Sequence, residues 1–344
     1  MPADQQDLSE RSAQREFLLY LDHTYLDLFA KGRITSLPRE KADTRLVVVY
    51  SDETFREIER STGFETAFLD VLARLEARYL VPHAVCGGLA DSADLLCVDP
   101  HAEYQEFHDS RIDVGGADVL LLRVAQALSG VRPDLRVQDL LTDVKRYGRG
   151  MADEPVERAK QLQDLPHDLR DQLQRMRRLL EEIEASTLSA DFSQPASVKE
   201  VDRHRVGGPL RLNNIRPPNV VEQIWERMPQ AVKEKTSIEA YFGIEQKGDS
   251  PMSLADKARW VFSVLDIVGY YRDPKLKTDS KLDSLLSDMG HVIFATYCHA
   301  FATLDERLAR KASAAYEFVG CSTKVLPWDW PAGRKSGRAA KEEH

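Results

Sequence analysis

Four acidic residues stand where the chain passes from one structural element to the next. Asp22 follows the apolar run FLLYL, Glu57 falls in the first turns of a helix opened by Ser51, Asp288 opens a second helix, and Asp305 ends an apolar run that starts at Ala300. In open α/β sheets, ligands collect outside the carboxyl ends of the strands, so acids at such junctions are candidates for one shared site. A buried carboxylate without a partner is costly, and clustered ones are tolerated mainly where a cation holds them together. Hard cations such as Mg²⁺ take oxygen ligands and keep several waters, which suits Asp and Glu. Two such ions about 4 Å apart activate a water and stabilise the leaving oxygen in phosphodiester cleavage. Taken singly, each acid would serve as well as a helix cap or a solvated surface group. His291, three residues after Asp288, shares its helix face. It would hydrogen-bond a ligand carboxylate there, or be satisfied by backbone in the core.

The elements that must position these residues follow from periodicity. Residues 17–21 and RLVVVY (residues 45–50) are continuous apolar runs, the pattern of strands buried on both faces. A helix over 24–31 ends at Gly32. Ser51 caps the next helix, with Asp52 and Glu53 complementing its dipole and Phe55 and Ile58 facing the core on either side of Glu57. An amphipathic helix is predicted over 68–80, with Leu72, Leu75 and Tyr79 on one stripe, and residues 81–85 and 93–98 read as short strands or connectors. Beyond residue 250, Ser250 or Ser253 caps a helix whose stripe is Leu254, Ala258, Val261, Leu265 and Val268. On that helix Asp266 reads as a solvated acid. Tyr270 and Tyr271 read as core residues rather than base-stacking ones. The stretch 288–305 is followed by a helix over 306–318 closed by Gly320, a strand over 322–326, and a charged tail.

Between these halves the texture changes. Residues 101–248 carry helical periodicity over 117–128, 137–147 and 169–184, broken by Pro133, Gly148, Gly150, Pro195, a Gly-Gly-Pro at 207–209 and Pro217-Pro218. This predicts a mostly α-helical insertion. It holds two basic stretches: four Arg in 170–178, and five Lys or Arg in 199–216. The first reads as a solvated helix face. The second, with Arg203, Arg205, Arg211 and Arg216 around a Gly-Gly-Pro loop, leans toward phosphate contacts on a flexible strand of nucleic acid.

Composition narrows the classes. At 344 residues, 42% hydrophobic and 30% charged, the chain has the make-up of an ordinary soluble protein, and no apolar run approaches the ~20 residues of a membrane helix. The polar, acidic amino terminus is unlike a signal peptide, which sets the expectation of a cytoplasmic protein. Four cysteines without a CxxC pair read as reduced thiols. A net charge of −9 argues against coating nucleic acid by bulk charge but not against a nuclease, because a carboxylate site takes its positive charge from the metal. There is no GxxxxGK[ST] or GxGxxG loop and no Gly-x-Ser-x-Gly elbow, so nucleotide-driven chemistry and serine-nucleophile catalysis have no support.

The pattern of a strand then Asp22, Ser51 six residues before Glu57, Asp288-x-x-His291, and Thr303-x-Asp305 resembles the PIN-domain nucleases. The match is strongest over DMGHVIFATYCHAFATLDERLARKASAAY and covers roughly residues 15–100 and 250–327. The resemblance implies an α/β fold with a parallel sheet flanked by helices. The PIN-like domain would be split into residues 15–100 and 249–330 by the helical insertion at 101–248, with a tail over 331–344. It implies that Asp22, Glu57, Asp288 and Asp305 bind Mg²⁺ or Mn²⁺ and catalyse hydrolysis of RNA or, in the flap-endonuclease branch, DNA. His291 and Thr303 would support those ligands, and Lys311 falls where relatives often carry a basic residue that contacts nucleic acid. Bacterial relatives act as toxins or defence effectors, which adds an inhibitor or antitoxin protein, or a second copy of the chain, as partners. Two departures stand out: the long gap between Glu57 and Asp288, and His299 where many relatives have an acid. An inactive PIN-like binding or assembly module is the alternative from another class.

Overall fold

The segment REFLLYL forms the central strand, β1 (Arg15–Leu21). It is apolar on successive residues because both faces of its sheet are covered: Leu19 and Leu21 enter one hydrophobic cluster and Tyr20 the other. The structure, a computed structural model, describes residues 15–37, 44–85, 88–110, 126, 212–245, 251–274, 278 and 282–326. Strands β2 (Thr44–Tyr50), β3 (Arg78–Val85), β4 (Gly88–Leu96), β5 (Ala300–Ala302) and β6 (Lys324–Leu326) complete a sheet in the order β4-β3-β2-β1-β5-β6. Every pairing is parallel except the β3–β4 hairpin at one edge. The expected α/β class with a parallel sheet flanked by helices is what the chain adopts.

One face is covered by α1 (His23–Ala30), α2 (Asp52–Arg60) and α3 (Glu65–Arg74), which pack with Leu19, Leu21, Val48 and Tyr50. Helix α4 (Pro100–Ser110) adds Tyr104 and Phe107 against Phe55. A 3-10 turn (Leu212–Asn214) precedes α5 (Val220–Glu226), α6 (Gln230–Lys233) and α7 (Ile238–Tyr241). The opposite face carries α8 (Leu254–Val268), α9 (Leu282–Ala295) and α10 (Glu306–Val319), packed with Tyr20, Val49 and Phe301. Leu212, Ile215, Val220, Val221, Ile224 and Phe242 join that second cluster, so residues 212–245 share the core of the sheet's helical layer. The helices expected over 117–128 (Gln126 apart), 137–147 and 169–184 lie outside the described residues, as does the tail.

Local signals hold at several boundaries. Ser51 and Thr54 form a capping box on α2, Ser253 rather than Ser250 caps α8, and Gly320 closes α10 at φ +73°. Three expectations fail. The helix predicted over 68–80 ends at Arg74; Glu76 turns into the left-handed region at φ +48°, and Tyr79 sits in β3 opposite Tyr50. Pairing with β2 outweighs the helical stripe there. Asp288 does not open its helix, because Leu285 and Leu286 extend the apolar period upstream and α9 starts at Leu282. Asp266 is not solvated: it is buried against Lys311 Nζ at 2.6 Å, where α8 meets α10.

Candidate functional site

Three neighbouring parallel strands, β2, β1 and β5, end side by side, and the residue after each is polar and buried: Ser51, Asp22 and Thr303. Leu21 stands opposite Ala302 in the ladder, and Asp22 N extends that pairing by donating to Ala302 O at 3.1 Å. The site therefore lies where the strand order reverses about β1, the crevice in which open α/β sheets bind ligands.

Asp22 caps α1. Its Oδ1 accepts from Thr24 N at 2.9 Å, from Tyr25 N at 3.4 Å and from Thr24 Oγ1, while Thr303 Oγ1 donates to Oδ2. Among the described residues no basic side chain forms an ion pair with it. Burial raises its pKa; the bonds from Thr24 and Thr303 and the charge of His291 offset this only in part, and Glu57 adds to the rise.

Glu57 approaches from α2 and meets His291 of α9. His291 Nε2 lies 2.7 Å from Glu57 Oε2, His291 Nδ1 lies 3.0 Å from the Tyr20 hydroxyl, and that hydroxyl lies 2.7 Å from Ser51 Oγ. Burial alone would raise the Glu57 pKa, but the charge and hydrogen bond of His291, with His23 and the Ser287 hydroxyl, pull it down to about 2. Burial likewise opposes charging His291, yet Tyr20, Glu57 and Glu53 outweigh it and hold the ring's pKa well above the ordinary histidine value. The pair is an imidazolium and a carboxylate. His291 thus bonds the Glu57 carboxylate, and Thr303 bonds the Asp22 carboxylate.

A third acid, Glu53, lies one turn before Glu57 and is only 3% exposed. Arg56 Nη1 binds its Oε2 at 3.0 Å, and Arg60 lies 3.9 Å from its Oε1 and 3.4 Å from Glu57 Oε1. Gly290 lets α9 approach this acid, since a Cβ there would fall 2.6 Å from Glu53 Oε2. The i,i+4 spacing of Glu53 and Glu57 was the available sequence signal, hidden by the ordinary use of Glu53 as a dipole-complementing acid. His23, which no spacing singles out, lies beside them: its Nδ1 is 3.9 Å from Glu57 Oε2, and burial lowers its pKa.

Of the four acids expected to converge, Asp22 and Glu57 gather around His291. Asp288 is half-buried on α9, one turn before His291. Asp305 is occupied as the cap of α10, its Oδ1 accepting from Arg307 N at 2.7 Å and Leu308 N at 3.2 Å, and its own N donates to Thr303 Oγ1 at 3.1 Å. Among the described residues no group of three or more His, Cys, Asp and Glu side chains stands ready-made to hold a metal ion. What lies at the strand ends is two carboxylates, one of them buried with no ion-pair partner among the described residues, and an imidazole nitrogen, His23 Nδ1, with no hydrogen-bond partner.

The expected nucleic-acid contacts fare differently. Lys311 is 2% exposed, bound to Asp266 and set over the Phe262 ring at 4.2 Å, so it presents no charge to a ligand. Arg216 is exposed and bonds Asn213 O, Ile215 O and the Tyr271 hydroxyl. Arg203, Arg205 and Arg211 lie outside the described residues. His299 sits before β5, at the end of the strand away from Thr303, where its Nδ1 accepts from Leu18 N and its ring stacks on Phe17. A cavity of about 370 Å³ between the β3–β4 hairpin and Thr296–Tyr297 is lined by Asp91 but by none of the four candidate acids. No family model matches the chain, and comparison with curated proteins and with solved structures finds no match.

Proposed function

We propose that this chain is a metal-dependent endoribonuclease of PIN type, split by an insertion, in which Asp22 and Glu57 are the principal carboxylates and Asp288 lies one turn from the centre. The observation that carries the proposal is Asp22: a carboxylate 4% exposed, at the carboxyl end of the central parallel strand, held by four hydrogen bonds and paired with no cation among the described residues. Such a group costs stability that a bound cation returns. Thr24 and Thr303 fix the two oxygens of Asp22, and His291 fixes the orientation of Glu57. Asp22 and Glu57 would hold a divalent ion, which would supply a water of lowered pKa and charge to offset the scissile phosphate. Arg56 and Arg60, each more than a third exposed, offer guanidinium donors to neighbouring phosphates at the rim. Water adds to phosphorus and the bond to the 3′ oxygen breaks, leaving a 3′-hydroxyl and a 5′-phosphate.

The test is Mn²⁺-dependent cleavage of single-stranded RNA by wild type, Asp22→Asn and Asp288→Asn, with single-stranded and branched DNA offered alongside. Cleavage of RNA lost in Asp22→Asn is the expected result. Equal activity in wild type and Asp22→Asn removes that acid from the mechanism, and preference for either DNA moves the substrate class. A second reading, a PIN-like fold that binds without catalysis, draws on one observation: Glu57 already has a countercharge in His291. No cleavage of any substrate, with a melting temperature indifferent to Mn²⁺, would favour it.

A further inference from the structure

Three side chains on the β3–β4 hairpin are linked by hydrogen bonds in which the strand-end acids take no part. His83 Nε2 lies 3.0 Å from Asp94 Oδ2, and His83 Nδ1 lies 3.0 Å from Ser92 Oγ. A carboxylate only accepts, so a neutral His83 carries its proton on Nε2 toward Asp94 and turns the Nδ1 lone pair to the Ser92 hydroxyl, which donates. A hydroxyl held by an imidazole that a third group orients is the arrangement of an activated nucleophile. It is recognised by geometry and role, and either ring nitrogen can hold the lone pair. An irregularity of the hairpin builds it: the β3–β4 register shifts between Pro82 and Ala84, around His83. Such bulges re-aim side chains out of the regular alternation. Ser92 also lines the cavity of about 370 Å³, whose apolar wall is Leu18, Leu80, Ala93, Leu95 and Leu254. That volume and lining suit a small, largely apolar molecule. Asp91 on the same wall and Asp94 beside the ring disfavour an anionic one. β4 is an edge of the sheet, and the outer side of an edge strand presents N–H groups, donors of the kind that take up charge on a tetrahedral oxygen.

We propose that Ser92 and His83 are the nucleophile and base of an acyl-transfer site that hydrolyses neutral esters whose acyl chain enters this cavity. Asp94 is a positioning residue that acts through His83. The site goes beyond the metal-dependent function proposed above and does not rest on it. His83 Nδ1 takes the Ser92 proton as Oγ adds to the ester carbonyl carbon. The bond from that carbon to the alcohol oxygen breaks, and the proton passes to the departing alkoxide. Water then gives a proton to Nδ1 and adds to the acyl carbon; Oγ leaves, recovers that proton, and the carboxylic acid is released.

The test compares full-length wild type, Ser92→Ala, His83→Gln and Asp94→Asn, prepared alike and assayed with a chelator present so that metal-dependent chemistry does not contribute. Hydrolysis of p-nitrophenyl acetate and p-nitrophenyl hexanoate is measured, and a fluorophosphonate probe is located by mass spectrometry. All three residues are exposed, so these substitutions leave the core intact. The expected result is a probe bound to Ser92 in wild type and hydrolysis lower by about a hundredfold in Ser92→Ala and His83→Gln. Asp94→Asn should lower kcat at unchanged KM. The hexanoate should show the higher kcat/KM, and Ala93→Phe, which fills the cavity, should abolish that preference. Equal hydrolysis by wild type and Ser92→Ala, a probe found elsewhere, or undiminished labelling in His83→Gln overturns the proposal. An unchanged kcat in Asp94→Asn overturns the role of that acid, and equal kcat/KM for the two esters overturns the use of the cavity.

Discussion

Replacing His291 by Gln removes the cation beside Glu57 while keeping a planar hydrogen-bonding side chain in the core. Glu57 falls from an ordinary 4.5 to about 2 in the folded chain, and its side chain is 17% exposed, so solvent screens the interaction only modestly. At 1.36 kcal/mol per pKa unit the whole depression corresponds to about 3 kcal/mol of stability. Burial opposes this depression while His23 and Ser287 share in it, so the part due to His291 is on the order of 2 kcal/mol. Because the Glu57 pKa is lowered by folding, its contribution is present above pH 4.5 and is lost as pH falls toward 2. His291 is raised by folding, so the same interaction is present below its ordinary 6.5 and is lost as pH rises through the folded-state value. The two limbs report one interaction and are not added. Urea denaturation of wild type and His291→Gln at pH values from 2 to 8 reads both limbs. The expected outcome is a difference of about 2 kcal/mol between pH 4.5 and 6.5 that shrinks toward pH 2. A difference that stays constant across the range refutes the ionic account and makes His291 a packing residue.

Two further perturbations follow from the same structure. Asp22→Asn should raise the melting temperature of the metal-free protein at neutral pH, since folding raises this acid's pKa and its charged form is the disfavoured one; a lower melting temperature contradicts that. Lys311→Met should cost about 3–5 kcal/mol by leaving Asp266 buried alone, whereas the pair Lys311→Met with Asp266→Leu should cost much less in urea unfolding.

The parts of the fold legible in the sequence are those fixed by neighbours along the chain. Continuous apolar runs mark β1 and β2, Ser51 and Ser253 cap their helices, and Gly320 stops α10. Residues 75–80 defeat that logic because an apolar stripe of period near four also fits a helix end followed by a strand, and only pairing with β2 decides between them. Long-range polar contacts are less legible still. Nothing local announces that Lys311 will find Asp266, or that Tyr20 will bond a histidine 271 positions away. Asp22 and Asp305 were equally plausible as caps or ligands. Both cap helices, but Asp305 does so with its backbone and carboxylate engaged at the start of α10, whereas Asp22 does so below the surface.

That difference in depth is what separates a cap from a candidate ligand. An exposed cap is compensated by water and by the helix dipole, and it needs nothing more. Among the described residues, other acids that the chain buries or half-buries receive a cation, as His291 to Glu57, Arg56 to Glu53, Lys311 to Asp266 and Arg259 to Asp256. Asp22 receives hydrogen bonds from Thr24, Tyr25 and Thr303 and a share of the His291 field, but no ion pair of its own among the described residues. Replacing it by an apolar residue that packs well would remove the desolvation cost at the price of one helix cap. Retaining an under-compensated charge at a crevice where three strand ends meet is the arrangement expected of a group whose partner arrives from solution.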